Sequence, residues 1–556
     1  MSGRRGVGTV ARGNSRGVGT VARGNSRGLH CGCLNDDTAT WLTFFCLWLG
    51  GTWPYQAVLQ AQSYYVAALG ASWLVPTLLV IYTWGLLVIF LLNLAFGTAR
   101  LLSVPTRVNI SFAMTGGVGA IFILQDLLPI SAKAHEVAMM AIALAMAAEQ
   151  ILLEPTLYGL AGMMSEVPEE NVGAPLQDAE APSIAQKQQL GGGGLQAMLV
   201  GNASAGVIVI AIGTALRVAA GGADLSVDRL RDVTRIFWGV LIIVSLACAL
   251  IFRAFARNVR GAGVAIAAMG AEGVDAARAA HERAERGGDR SSSSRIATDR
   301  EHAGLMLLAT ADRSADDGGS RGVAKETSAA AVRLRRLCAV ASFVWAPATC
   351  QFLVYGITLA AWPSIPGRAR FASDSLWARK DIGPYWFTFV LAAFNFADFF
   401  SRLARGWLDR LAAQLPPFTF VLFCLGRGAL LALIYVASLA PGAIGLGSSS
   451  SSSSSNTEML GTTASGWVIL VSIVVLATSN GFVATVTMMQ GPKLVEAPLR
   501  DTASFVLVVA LYLGLAVGAS VSNIVVLALG PELADGGSGG VVNATAAWQL
   551  ATELQQ

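Results

Sequence analysis

The stretch FNFADFFSR, residues 394–402, decides how the chain is read. It lies in a run of aromatic and aliphatic residues with the character of a membrane helix, yet it carries Asn395, Asp398 and Arg402. Asp398 and Arg402 are four residues apart, so they share a helical face and can pair; Asn395 joins that face. A charged residue at the centre of a membrane helix costs roughly 2.5–3.5 kcal/mol, so two facing lipid would cost about 5–7 kcal/mol. The face is therefore expected to turn toward a bundle interior or a watery cavity. The alternative is that Arg402 and Arg405 snorkel to the cytoplasmic surface while Asp398 neutralises one of them. Counted from Pro384 at about 1.5 Å per residue, Arg402 lies about 27 Å along the helix, which allows arginine to snorkel. Snorkelling explains Asp398 less well and Asn395 hardly at all.

The surroundings of this stretch are those of a membrane protein. The chain has 556 residues, 54% hydrophobic and 13% charged, with a mean hydropathy of +0.57. A soluble protein would carry about 25% charged residues. Apolar stretches of about 20 residues, each long enough to cross a hydrocarbon core of about 30 Å, recur throughout. They are continuous and not alternating, which argues against a β-barrel. Eleven spans are expected, at about 41–66, 73–97, 108–131, 136–164, 195–219, 235–257, 337–363, 384–405, 417–440, 466–490 and 502–530.

Several function classes are disfavoured. The seven cysteines are scattered; Cys31 and Cys33 form C-G-C, which lacks the spacing of a redox or metal motif. The four histidines lie outside the centres of the spans and no H-E-x-x-H occurs, which argues against a membrane metalloprotease or a histidine-dependent acyltransferase; no metal site and no enzyme activity are expected. No cofactor is implied. The net charge of +4 is modest and spread over loops, which does not suggest nucleic-acid binding. No G-x-x-x-x-G-K-[ST] loop is present to bind ATP.

Five segments are expected. Residues 1–40, with GVGTVARGNSR in tandem at 6–16 and 17–27, form a disordered cytoplasmic tail. Residues 41–257 form a six-helix bundle, 258–334 a largely disordered cytoplasmic loop, 335–530 a five-helix bundle, and 531–556 an extracellular tail. Positive charge marks cytoplasmic segments: six arginines in the N-terminal tail, Arg100 and Arg107 after span two, and Arg405 and Arg410 after span eight. The serine tract from 447 has no Lys or Arg and goes outside. Arg217, Arg229, Arg231 and Arg235, around the outer loop after span five, run against that orientation. With the C-terminus outside, the sequon at Asn543 becomes a candidate glycosylation site, whereas those at Asn109 and Asn202 fall in or beside spans. Two bundles with a substrate site between them suit a rocking transporter, though a receptor or scaffold could share the layout.

Further polar residues lie in the spans. Gln150 and Glu154 share a face of span four, and Pro155 follows, removing a backbone donor and favouring a kink. Glu154 could bind a ligand, pair across the interface or carry a proton; equally, it could be a neutral carboxyl bonded to a neighbouring helix. In GGTWPYQ, residues 50–56, Pro54 allows a bend, Tyr55 offers a face for stacking, and Gln56 offers a donor and an acceptor. Small residues in GNASAG, 201–206, let helices approach closely. Arg107 is expected at the interface, and Arg427, deep in span nine, needs a partner.

These segments together resemble the equilibrative nucleoside transporters. FNFADFFSR is similar to that family's span-eight signature, and TSNGFVATVTMMQGPKLV (478–495) to its span-ten segment. Pro54-Tyr55-Gln56 falls where the family usually has Pro-Trp-Asn. EPTLYGLAG (154–162), MLVGNASAGVIV (198–209) and WPSI (362–365) resemble its span-four, span-five and span-seven segments, the span-five match being closest to protozoan members. The resemblance implies an all-α polytopic protein with eleven transmembrane helices in a major-facilitator-like 6+5 arrangement. It also implies a central site for a nucleoside or nucleobase, reached by alternating access from either side of a lipid bilayer, most naturally the plasma membrane. In that resemblance Asp398 and Arg402 bond ribose hydroxyls with Asn395 in support, Tyr55 stacks near the base, and Glu154 takes a position where glutamine usually reads the base edge. Gln56 stands beside Tyr55, Pro54, Gly201 and Gly206 shape the helices around the site, and Asn480 and Gly481 shape span ten. Ser401 stands where the signature has glycine, and Ala203 replaces a further glycine. Transport would be facilitated or proton-coupled, with Asp398 and Glu154 as candidate proton carriers. The rival expectations are a facilitator-type carrier of sugars or organic ions, to which RGWLDRLA (405–412) is faintly similar, and a receptor or scaffold that transports nothing.

Overall fold

In a computed structural model, the described residues are 36–62, 64–65, 73–96, 102–128, 131–166, 193–222, 226–259, 262–268, 337–369, 371, 375–379, 382–404, 416–440, 455–496 and 499–528. The tandem repeat, most of the loop at 258–334, most of the serine tract, RGWLDRLA and Asn543 lie outside them.

Eleven long helices account for most of the described chain: α1 Asp36–Gln60, α2 Leu74–Phe96, α3 Val104–Leu127, α4 Ala132–Glu166, α5 Gly193–Ala219, α6 Val227–Asn258, α7 Trp345–Ala361, α8 Trp386–Leu403, α9 Pro417–Leu439, α10 Ser455–Gln490 and α11 Arg500–Ala528. A short helix, Ala262–Ala268, follows α6, and no strand occurs among the described residues. Nine of the eleven are long and apolar enough to cross a membrane by length and composition. The other two are α1, which opens on Asp36 and Asp37, and α8, which has 18 residues and carries the Asp398–Arg402 pair.

The helix ends follow local chemistry. Ser103 caps α3 by accepting from the Thr106 N–H, with Pro105 in the first turn, where its missing N–H is harmless. Ser226 caps α6 through Arg229 N in the same way. The span expected from 337 is interrupted at Val344. Pro347 accounts for the break, because its ring clashes with the carbonyl four residues earlier. Pro54 and Pro155 instead lie inside continuous helices.

From Asp36 onward the chain forms one compact unit. Within it α1 packs on α5 and α6, α3 on α4 and α6, and α2 on α4. The later helices pack α7 on α9, α10 and α11, and α10 on α8 and α9. The earlier and later sets meet chiefly along two seams, α2 against α11 and α5 against α8. Lipid offers no hydrophobic drive for helix association, so close approach and polar contacts matter more than in water. Gly514 and Gly518 of α11 lie against the α7 backbone at Phe352 and Gly356, where any Cβ would collide. Gln351 of α7 donates to the Ala484 carbonyl (3.0 Å) and Thr487 Oγ1 (2.6 Å) of α10.

Exposed large apolar residues, such as Val88, Leu92, Ile243, Leu246, Phe400 and Val471, face outward as a lipid-facing surface requires. Arg217, Arg229, Arg231 and Arg235, around the connection between α5 and α6, are each engaged. The Arg217 guanidinium lies over the Tyr385 ring, 5.0 Å from its centroid. Arg229 donates to the Ala220 carbonyl (3.1 Å), Arg231 pairs with Asp228, and Arg235 contacts Asp232 and the Asp126 carbonyl. Arg107 is buried within the protein, bonding the Leu102 carbonyl and Thr156 Oγ1. Its place one turn into α3, facing α4, is the reason.

Candidate functional site

Between the two seams lies a cavity of about 160 Å³. Its wall includes Asp398, Arg402, Asn395, Glu154, Tyr55 and Gln56, six residues contributed by α1, α4 and α8.

On the α8 side, Arg402 is 2% exposed and does not snorkel. Its Nε donates to Asp398 Oδ2 at 2.8 Å and its Nη2 to Asp398 Oδ1 at 3.3 Å, a two-pronged pair one helical turn in length. The pair answers the charge problem posed by the sequence: each ion neutralises the other away from lipid. Nη1 is buried without a hydrogen-bond partner, and the Tyr355 hydroxyl of α7 lies beside the guanidinium. Asn480 of α10 donates to Asp398 Oδ1 at 2.8 Å. Asn395 donates back to the Leu391 carbonyl at 2.9 Å, and its side chain passes directly over Gly206 of α5. A Cβ at position 206 would overlap Asn395, so this crossing of α5 and α8 requires glycine.

Gly481 makes the matching approach on α10. A Cβ there would meet Ser401 Oγ and come within 2.6 Å of the Asp398 carbonyl. Ser401, the residue that departs from the signature glycine, fits because its hydroxyl turns back to donate to the Asp398 carbonyl at 2.7 Å. Gly201 lies five residues before Gly206 in α5, against the backbone of Phe45 in α1. Pro54 is buried within α1, one position before the cavity-facing Tyr55.

Opposite α8, Glu154 is not the unpaired glutamate that α4 alone suggests. Its Oε2 accepts from Gln150 Nε2 (3.2 Å) and from the Tyr512 hydroxyl of α11 (2.5 Å). The second bond crosses the α2–α11 side of the cavity and joins the earlier helices to the later ones. Pro155 leaves the carbonyl of Ile151 without its intrahelical donor, at the depth where the cavity opens.

Aromatic faces line the space between these polar groups. Tyr55 stacks on Tyr82 of α2 at 5.5 Å between centroids, and Trp362 stacks on Phe394 at 4.7 Å. All four rings, with Tyr158, Tyr355 and Tyr512, border the cavity. Sequence reasoning missed Tyr82, Tyr158, Tyr355, Thr358, Trp362 and Tyr512 as wall residues. Each is an aromatic or hydroxyl residue in an apolar span, with no spacing to set it apart from packing residues. Buried Glu149, the residue before Gln150 and beside Thr115 of α3, was also passed over, although a second carboxylate in the same span was a visible signal.

Arg427 finds neutral partners and no carboxylate. Its Nη2 donates to Thr358 Oγ1 (2.7 Å) and to the Leu476 carbonyl (3.1 Å). Among the described residues no cluster of His, Cys, Asp and Glu could hold a metal ion.

Membrane-length helices around a buried cavity that offers a charged pair, amide and hydroxyl donors and stacked aromatic faces make a carrier of small polar, aromatic molecules. The family described as nucleoside transporter matches residues 183–527, more than half of the chain, and the chain belongs to that family. The match includes Asn395, Asp398, Arg402 and Asn480, and begins after α1–α4, which hold Tyr55, Gln56 and Glu154. No curated protein sequence matches the chain. Similar solved structures include the xylose transporter XylE from E. coli in a partially occluded inward-open conformation, 12% identical, covering 90% of this chain and 92% of that one with a TM-score of 0.45. A peptide transporter, POT in complex with sulfate, is 12% identical over 89% of this chain and 94% of that one, TM-score 0.47. The nucleoside transporter NupG is 14% identical over 89% and 91%, TM-score 0.39. At TM-scores below 0.5 these are distant likenesses that bear on neither site nor substrate.

Proposed function

We propose that this multi-pass carrier of nucleosides binds its substrate in the cavity between the α1–α6 and α7–α11 helices and moves it by rocking the two sets about that site. The single observation that carries the proposal is the convergence of Asp398, Arg402, Asn395, Glu154, Tyr55 and Gln56 on one cavity. The chemistry fits a molecule that is flat at one end and rich in hydroxyls at the other. A ribose hydroxyl both donates and accepts; the Asp398 carboxylate accepts and the Arg402 guanidinium donates, and bonds to charged groups are the stronger kind. The base lies against the Tyr55–Tyr82 face with its edge toward Glu154 and Gln56. A carboxylate only accepts, so Glu154 favours a base edge that presents N–H groups.

The two sets are taken as bundles at 41–257 and 335–530, joined by the loop at 258–334, with the N-terminus in the cytoplasm, the C-terminus outside and the plasma membrane as the site of action. Transport is equilibrative unless a proton is coupled, in which case Glu154 and Asp398 are its carriers. Nucleobases share the base edge and are the second substrate class to test. The experiment is uptake of radiolabelled adenosine, uridine and hypoxanthine into transporter-deficient cells at two pH values. Saturable uptake of at least one supports the proposal; none, despite surface expression, sinks it.

A further inference from the structure

A chain of hydrogen bonds runs behind the α8 pair. Arg427 of α9 donates to Thr358 Oγ1 of α7 at 2.7 Å, Thr358 contacts Asn480 Oδ1 of α10 at 3.1 Å, and Asn480 Nδ2 donates to Asp398 Oδ1 of α8 at 2.8 Å. It begins on a cation, ends on an anion and threads four helices. The Thr358 hydroxyl also lies 2.6 Å from the Val354 carbonyl, so its one proton is shared between that carbonyl and Asn480 Oδ1 while its lone pair accepts from Arg427. The Asn480 amide is thereby fixed with its oxygen on the hydroxyl and its nitrogen on the carboxylate. Thr358, Asn480 and Asp398 border the cavity; Arg427 is 2% exposed and is not part of its wall.

A buried guanidinium is expensive in the interior and is normally retained against a carboxylate. Arg427 has no carboxylate in contact; its neighbours include Cys424 on its own helix and the Leu476 carbonyl. The remaining charge within reach of the chain is Asp398, two bridging side chains away.

We propose that Arg427 is a positioning residue for Asp398: acting through Thr358 and Asn480, it holds the carboxylate in the orientation that receives ribose hydroxyls. This rests on Asp398 being the ribose partner. In this arrangement Arg402 fixes the carboxylate from its own helix, and the Arg427 chain fixes its rotation from the other side. Loss of the chain weakens recognition of the sugar hydroxyls while leaving base contacts at Tyr55 and Glu154 alone.

The test uses the full-length protein in transporter-deficient cells, with KM measured for a ribonucleoside and for its 2′,3′-dideoxy analogue, alongside surface abundance. Arg427→Met removes the cation without leaving a buried charge, and Thr358→Val removes the bridging hydroxyl at nearly constant volume. Each is expected to cut the wild-type preference for the ribonucleoside by about three- to tenfold, the worth of one hydrogen bond, through KM of the ribonucleoside alone. Because both break one chain, the double variant is expected to do no more than either single one. Thr358→Ser, which keeps the hydroxyl, is expected to retain the wild-type ratio. Equal effects on both substrates, multiplying effects in the double variant, or an unchanged ratio would each overturn the proposal. A wild-type protein with no preference for the ribonucleoside would overturn the ribose assignment itself. Should Thr358→Val fail to reach the surface, Thr358→Ala, smaller and equally unable to bridge, gives the same comparison.

Discussion

Tyr512 of α11 donates a 2.5 Å hydrogen bond to Glu154 of α4, so a carboxyl on the cavity wall is held from across the seam between the two helix sets. In the proposed cycle, rocking one set against the other makes or breaks that bond.

Tyr512→Phe keeps the ring and removes the donor. Uptake is expected to persist at normal abundance, with KM changed by about three- to tenfold, as loss of one hydrogen bond implies. Concentration-dependent uptake measures it; an unchanged KM for every base would detach Tyr512 from recognition.

Asp398→Ala and Arg402→Ala are each expected to abolish uptake. Removing one partner strands a buried charge, which costs about 3–5 kcal/mol, so lower abundance is also expected from the single changes. Surface labelling separates the two effects. Normal transport by correctly inserted variants would return both residues to a structural role.

Gly206→Ala and Gly481→Ala probe the two close approaches that shape the α8 face. The first drives a methyl into Asn395, the second into Ser401 and the Asp398 carbonyl. Both are expected to reduce uptake strongly. Ser401→Gly, placed in the Gly481→Ala background, is expected to recover part of the loss by clearing the nearer obstacle. No recovery would mean that the Asp398 carbonyl, which cannot be removed, sets the limit.

Glu154→Gln keeps the shape of the side chain and discards its proton chemistry. If a proton is coupled through Glu154, wild-type uptake differs between the two pH values and the variant's does not. The variant is also expected to shift preference toward bases that present an acceptor, because an amide can donate. Paired uptake of adenosine and uridine at both pH values measures both effects.

Much of this was legible because membrane physics makes polar residues conspicuous. Eleven apolar runs became eleven long helices, and the Asn395–Asp398–Arg402 face stood out as a charge problem to be met by an inward pair or by snorkelling, of which the structure forms the inward pair. The limits were those of one-dimensional spacing. Helix α10 begins at Ser455, eleven residues before the expected start at 466, because Thr457, Glu458 and Thr462 dilute the apolar run without breaking the helix. Glu154 looked unpaired because its partner, Tyr512, is 358 residues away. Arg427 called for a partner that spacing could not name, since it reaches Asp398 only through residues from two other helices. Tyr82 and Trp362 carry no mark in sequence that separates a cavity wall from a packed core.

The most direct test of the central claim is equilibrium binding of a radiolabelled nucleoside to the purified protein, wild type against Asp398→Asn, which keeps the shape of the side chain but removes its charge. Saturable binding by the wild type that weakens at least tenfold in the variant is the predicted result. Equal affinity in the two proteins would contradict it and place the nucleoside away from the Asp398–Arg402 pair.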